Sequence, residues 1–492
     1  MRNVCLRLAV LVLVALATAR VQAQGAKSGL LIYKIGRTGF ILQGRIQVNP
    51  GATVSFKHPT FGELYFGLKQ VDIKYAPTNS EQYNKMFNKA VAAKNADDVF
   101  AAGVWALKHG LLPSYYKAVE QTLKLNPQHE RALKVMTLRQ QMDITIGDSS
   151  KQEKELSDLV KKKDMKFALS KHYILMHDTP DKPPKPVEGQ KKRKPKAQER
   201  LDLLETVYES FMLMFYSQGV ELVRPEERMK VVLFNEHADY LNFATALDPD
   251  LQSASGFWVQ DSNTAFFFAH STTDTFKEIN KVLKEIKAEG EELRKAKSPA
   301  AKHLIRFEKT LTLLLSVEQE NLDISVVSHE CTHQMAGNTG LLPIQVQVPS
   351  WVHEGLATYF EAPGDATWAG IGAVNADRLD WYRGLEPDRV HSNIDFIVGD
   401  EIFDKAGNLT STIHGYGQAW ALTHFLLENH FDKFISFYRL LGEMPRDTAL
   451  SADVLNSLFT KVFGEDRKGL DQEWRSYMRG LKTDTDKILD RE

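Results

Sequence analysis

The feature that most constrains this chain is the run His329-Glu330-Cys331-Thr332-His333, an H-E-x-x-H pattern. On an α-helix the two histidines lie one turn apart on the same face, so both imidazoles can hold a single metal ion. Glu330 is offset from that face and can reach a water beside the metal. The chain must therefore form a helix here. Leu322, Ile324, Val326 and Val327 lead into the run with apolar side chains at helical spacing. Twenty-one residues after His333 stands Glu354, inside Pro349-Ser350-Trp351-Val352-His353-Glu354-Gly355-Leu356-Ala357-Thr358-Tyr359-Phe360-Glu361. This stretch reads as a second helix, with Ser350 as its cap after Pro349. His329, His333 and Glu354 give three protein ligands for one zinc ion and leave a fourth position for water, as catalytic zinc sites do. H-E-x-x-H alone is short enough to arise by chance; Glu354 on its own helix supplies the specificity.

Zinc in such a site lowers the pKa of water to about 7 and polarises a carbonyl. Glu330 is then the general base that takes the water's proton and passes it to a leaving amine. A donor is also needed for the oxyanion. Tyr416, in Ile413-His414-Gly415-Tyr416-Gly417-Gln418-Ala419-Trp420, is the candidate, at the opening of a helical stretch, with His414 as the alternative. His353 points to another face and reads as structural. Cys331 reads as a small buried residue behind the site rather than a fourth ligand.

The chain has 492 residues, enough for two or three domains. Its net charge of −1 gives no overall field that favours nucleic acid. At the N-terminus Arg2 and Arg7 precede the apolar run 8–17, and Val21-Gln22-Ala23 offers a small-residue cleavage site. Residues 1–23 are thus expected to be a signal peptide, with an exported product that is periplasmic or extracellular in a bacterium. No other run is long and apolar enough to span a membrane. Once Cys5 leaves with the signal, Cys331 is the only thiol and no internal disulfide can form.

Residues 24–76 read as a small β-rich domain, with short runs at 30–33, 39–42, 45–48, 53–56, 63–66 and 71–73 between glycines. Residues 77–144 change to helical period in four segments, about 80–93, 96–109, 113–124 and 128–141, which pair as hairpins of tetratricopeptide-like length and offer a surface for a protein partner. A linker, partly helical, is expected over 145–166, and a last domain over 167–482, with a tail at 483–492. The last domain begins with a strand at 172–176, followed by a Pro/Lys-rich loop at 179–197 that cannot bury a core. A helix at 198–217, a strand at 230–234, a hairpin over 256–269 and helices at 273–296 and 298–320 come before the metal-ligating helix. This order gives an α+β fold, with the site between a sheet and a helical half.

The residues 329–361 resemble the gluzincin metallopeptidases and, within them, the M1 aminopeptidase-type core. His329-Glu330-Cys331-Thr332-His333-Gln334 followed by Gly337-Asn338 is similar to that group's zinc helix, and 351–361 to its glutamate helix. Tyr416, followed by Ala419, Leu422 and Leu426, falls where the group has its oxyanion-stabilising tyrosine. The resemblance implies a thermolysin-like fold, His329, His333 and Glu354 as zinc ligands, Glu330 as base and Tyr416 as stabiliser. Two features depart from it. The edge strand Ser255-Gly256-Phe257-Trp258-Val259 lacks the glutamate that anchors a free amine in aminopeptidases, and the spacing from His333 to Glu354 is slightly longer. The arrangement over 167–480 is more similar to a family of secreted bacterial proteins carrying a domain of unknown function with a peptidase-like site. The expectation is an exported zinc metallopeptidase acting on a peptide or protein substrate, and not an aminopeptidase. The alternatives are a non-catalytic zinc-containing binding or scaffold protein, and a zinc hydrolase of a non-peptide amide.

Overall fold

A computed structural model describes residues 25–35, 38–183, 192–362, 364, 366–404 and 409–490. The signal peptide expected at 1–23 lies outside them, as does 184–191 of the Pro/Lys-rich loop. The fold is mixed α and β, with helices in the majority. The described residues group into two compact units.

The first unit takes in the described residues up to Thr78 together with Leu283–Ser316. Its sheet is antiparallel, in the order β4-β3-β2-β1-β5, with β1 Lys27–Ile35, β2 Thr38–Asn49, β3 Thr53–His58, β4 Gly62–Gly67 and β5 Val71–Tyr75. Alternate residues of β3 and β4 are buried, among them Val54, Phe56, Leu64 and Phe66, so one face of the sheet carries the core. Grouping 283–316 with this sheet departs from a division that assigns all of 167–482 to one domain.

The second unit holds the candidate metal ligands. Helices Asn79–Ala92, Ala96–Lys108, Leu112–Leu125 and Glu130–Met142 stand where helical period was read, and their apolar faces belong to the main core of this unit. A second sheet has the order β6-β7-β8-β10-β9, with β6 Lys166–Leu169, β7 Tyr173–His177, β8 Met229–Phe234, β9 Gly256–Val259 and β10 Thr264–Phe268. The pairs β7–β8 and β8–β10 are parallel, and both outer pairs are antiparallel. The central strands are buried on both faces, which explains their continuous apolar runs. Ile174, Met176, Val232, Phe234, Phe266 and Phe268 face one core. Tyr173, Leu175, Val231, Leu233, Ala265 and Phe267 face the other, which also holds Val327 and Cys331 of the metal-ligating helix.

Four expectations need correction. The strand at 172–176 is not the first of its sheet, because β6 precedes it and pairs with β7. The stretch 145–166 is no mere linker: helix Ser150–Val160 buries Gln152, Leu156 and Val160, a stripe at i, i+4, i+8, and the last two enter the sheet's second core. Helix His237–Leu247 has no counterpart in the sequence reading. The helix expected at 298–320 and the metal-ligating helix are one element, Ala301–Asn338, since no glycine or proline interrupts the chain before Gly337. The tail forms a short helix, Asp484–Leu489, opened by a Thr483–Asp486 capping box.

Candidate metal centre

The site is built on three helices: Ala301–Asn338, Ser350–Phe360 and Leu409–Asn429. The first is tied to the sheet by Gln334, whose Nε2 donates to the carbonyls of Lys230 and Asn263 at 3.1 and 2.9 Å. Cys331, behind the site, is fully buried against the Tyr173 hydroxyl at 2.8 Å, and burial pushes its thiol up to about 12, so it stays protonated.

The start of the second helix differs from the sequence reading. Pro349 occupies the cap position and Ser350 makes no side-chain cap bond. The cap comes instead from Asp400, whose carboxylate accepts from the backbone N–H groups of Ser350 at 2.6 Å and Trp351 at 2.8 Å. Gly355 then allows the helix to press against Leu409–Asn429, because a Cβ there would lie 2.2 Å from Thr423 Oγ1 and 2.7 Å from the Ala419 carbonyl.

These elements bring the three expected ligands together. His329 Nε2 is 3.0 Å from Glu354 Oε2 and 3.1 Å from His333 Nε2, and His333 Nε2 is 3.6 Å from the same carboxylate oxygen. All three ligand atoms lie within 4.8 Å of one another, and the group could hold a metal ion. Burial opposes a charge on His329, but hydrogen bonds to Glu354 and Glu361 outweigh it and lift the imidazole to about 10. Burial likewise works against the Glu354 carboxylate, while His333 and His329 hold it well below the usual range. Glu330 is buried with no hydrogen-bond partner among the described residues, and burial raises its pKa.

Two residues around this group escaped the sequence reading. Glu361 is buried, and its Oε2 lies 2.9 Å from His329 Nδ1. With Nδ1 facing a carboxylate, the Nε2 lone pair is left for a ligand, the usual way an imidazole is oriented for a metal. Glu361 is held in turn by Asn375 at 2.9 Å and by Arg378 at 2.6 and 3.1 Å. The signal was available: Glu361 follows Glu354 by two helical turns and so shares its face. Arg378 comes from another helix, Ala376–Leu385, and nothing in its local sequence marks it.

Tyr416 does not open its helix but lies inside Leu409–Asn429. Its ring is 6.4 Å from that of His329, and the Arg378 guanidinium sits 5.3 Å from its centroid. Gly417 beside it packs on Ala376–Leu385, where a Cβ would fall 2.8 Å from the Trp381 Cβ and the Tyr382 amide nitrogen. The Tyr416 hydroxyl has no hydrogen-bond partner among the described residues. The Glu354 carboxylate, then burial and Glu330, raise its pKa, so it remains a proton donor. His414 turns away, with Nδ1 at 3.0 Å from the Trp381 carbonyl. His353 is closer to the site than expected: its ring stacks on His333 at 4.1 Å, and burial, with His333 nearby, lowers it to about 3, which keeps it neutral. Trp258, on edge strand β9, stands 5.8 Å from His353 and 6.4 Å from His333.

Arg378 pairs with Glu361, Glu354 lies against both imidazoles, and Glu330 is buried beside them. Two imidazoles with a carboxylate oxygen are a donor set that suits zinc.

Residues 323–446 match a protein family described as "Protein of unknown function (DUF1570)". The match takes in every site residue named above except Trp258. No curated protein matches the chain, and no solved structure does.

Proposed function

We propose that this chain is an exported zinc metallopeptidase of gluzincin type, with a thermolysin-like core and a tetratricopeptide-like helical segment before it. The observation that carries the reading is the convergence of His329, His333 and Glu354 beside a buried Glu330 that has no hydrogen bond or ion pair among the described residues. Zinc bound by the three ligands would supply Lewis acidity toward a substrate carbonyl and toward water. The other steps belong to the chain's own groups. Glu330, with no ion pair among the described residues, accepts the proton of the attacking water and delivers it to the leaving amine. Tyr416, kept protonated, donates its hydroxyl hydrogen to the developing oxyanion. Glu361 and Arg378 hold the His329 ring in position, and Arg378 also flanks Tyr416. Trp258 stands on the edge strand where an aminopeptidase would carry its amine-anchoring glutamate, which favours substrates recognised along the chain rather than at a free amine.

The test is a purified mature chain assayed for zinc content and for cleavage of a peptide library, beside Glu330→Gln. One zinc per chain in both proteins is expected, with turnover in the variant lower by about 10²–10⁴-fold. Stoichiometric zinc without any Glu330-dependent turnover would instead favour the non-catalytic zinc protein or a non-peptide amide substrate. A chain that takes up no zinc would sink the site altogether.

A further inference from the structure

The second unit also holds a cavity of about 490 Å³, bordered by none of the residues of the metal centre. That volume falls in the range of about 300–1,000 Å³ typical of ligand pockets. Helix Leu112–Leu125 lends it Tyr116 and Glu120, one turn apart, and helix Glu130–Met142 lends Arg139 and Met142. Helix Lys196–Ser217 lends Glu205, Tyr208 and Glu209, which share a face at i, i+3 and i+4. Lys171 and His172 come from the short connection between β6 and β7. The lysines and the arginine around the cavity already have partners. Arg139 donates to Glu120 at 3.0 Å and lies 4.1 Å from the centre of the Tyr116 ring. Lys171 donates to Asp143, and Lys117 holds its ammonium 4.8 Å from the centre of the Phe87 ring.

The acceptors around the cavity are not used up. Glu209 is half-buried, accepts at Oε1 from the Tyr116 hydroxyl, and has no ion pair among the described residues. Burial raises its carboxyl above the ordinary value, as happens where no cation answers the charge. Glu205, one turn away, is taken up by His172, whose backbone N–H and ring Nδ1 lie 2.8 and 2.7 Å from its two oxygens. With Nδ1 facing a carboxylate, the lone pair of Nε2 is left as an acceptor. That Nε2 is buried without a hydrogen-bond partner among the described residues. The Tyr208 hydroxyl, on a ring that stacks on His172 at 3.9 Å, is a second buried atom without one. Buried polar groups are nearly always paired in native proteins, so open acceptors on residues that border one cavity call for a donor from outside the chain. A primary ammonium brings three N–H donors, no acceptor, and the positive charge that Glu209 lacks. Leu112, Pro113 and Met142 give the cavity an apolar side for a hydrocarbon stem.

We propose that this cavity binds a primary ammonium on a short unbranched hydrocarbon stem, the chemistry shared by a free diamine and a lysine side chain, with Glu209 as its counter-charge. The probe is n-pentylamine, titrated into the full chain by isothermal calorimetry at neutral pH. Saturable binding is expected. Two analogues test the recognition without any variant that has to fold: n-pentanol lacks the charge, and pentyltrimethylammonium keeps the charge but lacks N–H donors. Each should bind about tenfold or more weakly than the amine. Glu209→Gln keeps the shape of the side chain and the bond from Tyr116, and should lose about as much while retaining the wild-type unfolding curve and metal content. Diaminopentane and Nα-acetyl-lysine methylamide, compared directly, separate the two sources of the group, since the tighter binder marks the free amine or the side chain. An absence of saturable pentylamine binding would overturn the proposal. So would equal binding of pentanol or of the trimethylated amine, or undiminished binding by Glu209→Gln. Every readout is of binding, so the outcome holds whether or not the metal centre cleaves peptides.

Discussion

The helix Ala301–Asn338 carries two buried charge clusters, and they are built on opposite plans. Around Glu320 and Asp323 every charge is answered. Arg200 donates to both carboxylates at 2.8 Å, Lys196 reaches Asp323 at 2.6 Å, and Arg193 joins Glu320 to Glu199. Three acidic groups meet three basic ones, and His270 adds a 2.6 Å contact to Asp323. Two turns further on, Glu361 meets Arg378, Glu354 meets only the imidazoles of His329 and His333, and Glu330 has no ion pair among the described residues. The first cluster is complete as protein, whereas the second gathers two imidazoles and a carboxylate that could hold a metal ion. The contrast separates buried charge that fixes architecture from buried charge that marks a site, although both clusters contain strongly shifted groups.

The comparison breaks most visibly if one partner is taken from the balanced cluster. Arg200→Met leaves Asp323 and Glu320 buried with too little positive charge, and a loss of about 3–5 kcal/mol is expected by denaturant unfolding. Zinc bound per folded molecule should stay unchanged. A variant that folds normally but loses its zinc would show that the two clusters are not separate.

A smaller effect is expected at the metal centre. Glu361→Gln removes the charge that orients His329 but keeps a hydrogen-bonding group of the same shape. Zinc affinity, measured by competition with a chelator, should fall about 10–100-fold, or roughly 1.4–2.7 kcal/mol. The fold should survive without added metal, since the change lowers the local negative charge. Unaltered affinity would mean that Arg378 and Asn375, rather than Glu361, set the ring's position.

A smaller effect still separates the two ways a helix can be started. Ser350→Ala should change stability by no more than about 0.5 kcal/mol, as for a surface residue, because Ser350 caps nothing. Asp400→Ala should cost about 1 kcal/mol, because its carboxylate serves two backbone N–H groups. The reverse order, read by thermal unfolding, would restore the cap assigned from local sequence.

That pair of variants also shows where the sequence was legible. The ligands His329, His333 and Glu354 could be read because helical period fixes which residues share a face, and the hairpin 256–269 because its turn residues separate two apolar runs. Partners from remote parts of the chain left no local trace. Asp400 lies fifty residues from the helix it caps, Arg200 pairs with Asp323 across 123 residues, and Arg378 reaches Glu361 from another helix. Glu361 was visible as a residue but not as a partner, since its role depends on what stands opposite. The long helix was divided too early because charged and apolar stretches alternate along it, while no residue in it breaks a helix.

The smallest effect over ordinary conditions is expected from acid, and it distinguishes the clusters again. Burial works against the Asp323 carboxylate, but Lys196 and Arg200 outweigh burial and hold its pKa well below the ordinary 3.8. A carboxylate depressed in the folded state binds fewer protons there than in the unfolded chain. Its stabilising contribution is therefore fully present above the unfolded value and is lost as pH falls through the folded one. The difference in unfolding free energy between wild type and Asp323→Asn should be flat from pH 8 to 5 and should shrink only below 3.8. Zinc retention should fail much earlier on the same descent, because protons compete for the imidazoles of His329 and His333. If both were lost over one pH range, the balanced cluster would be supporting the metal centre directly, and the division of the helix into an architectural half and a chemical half would fall.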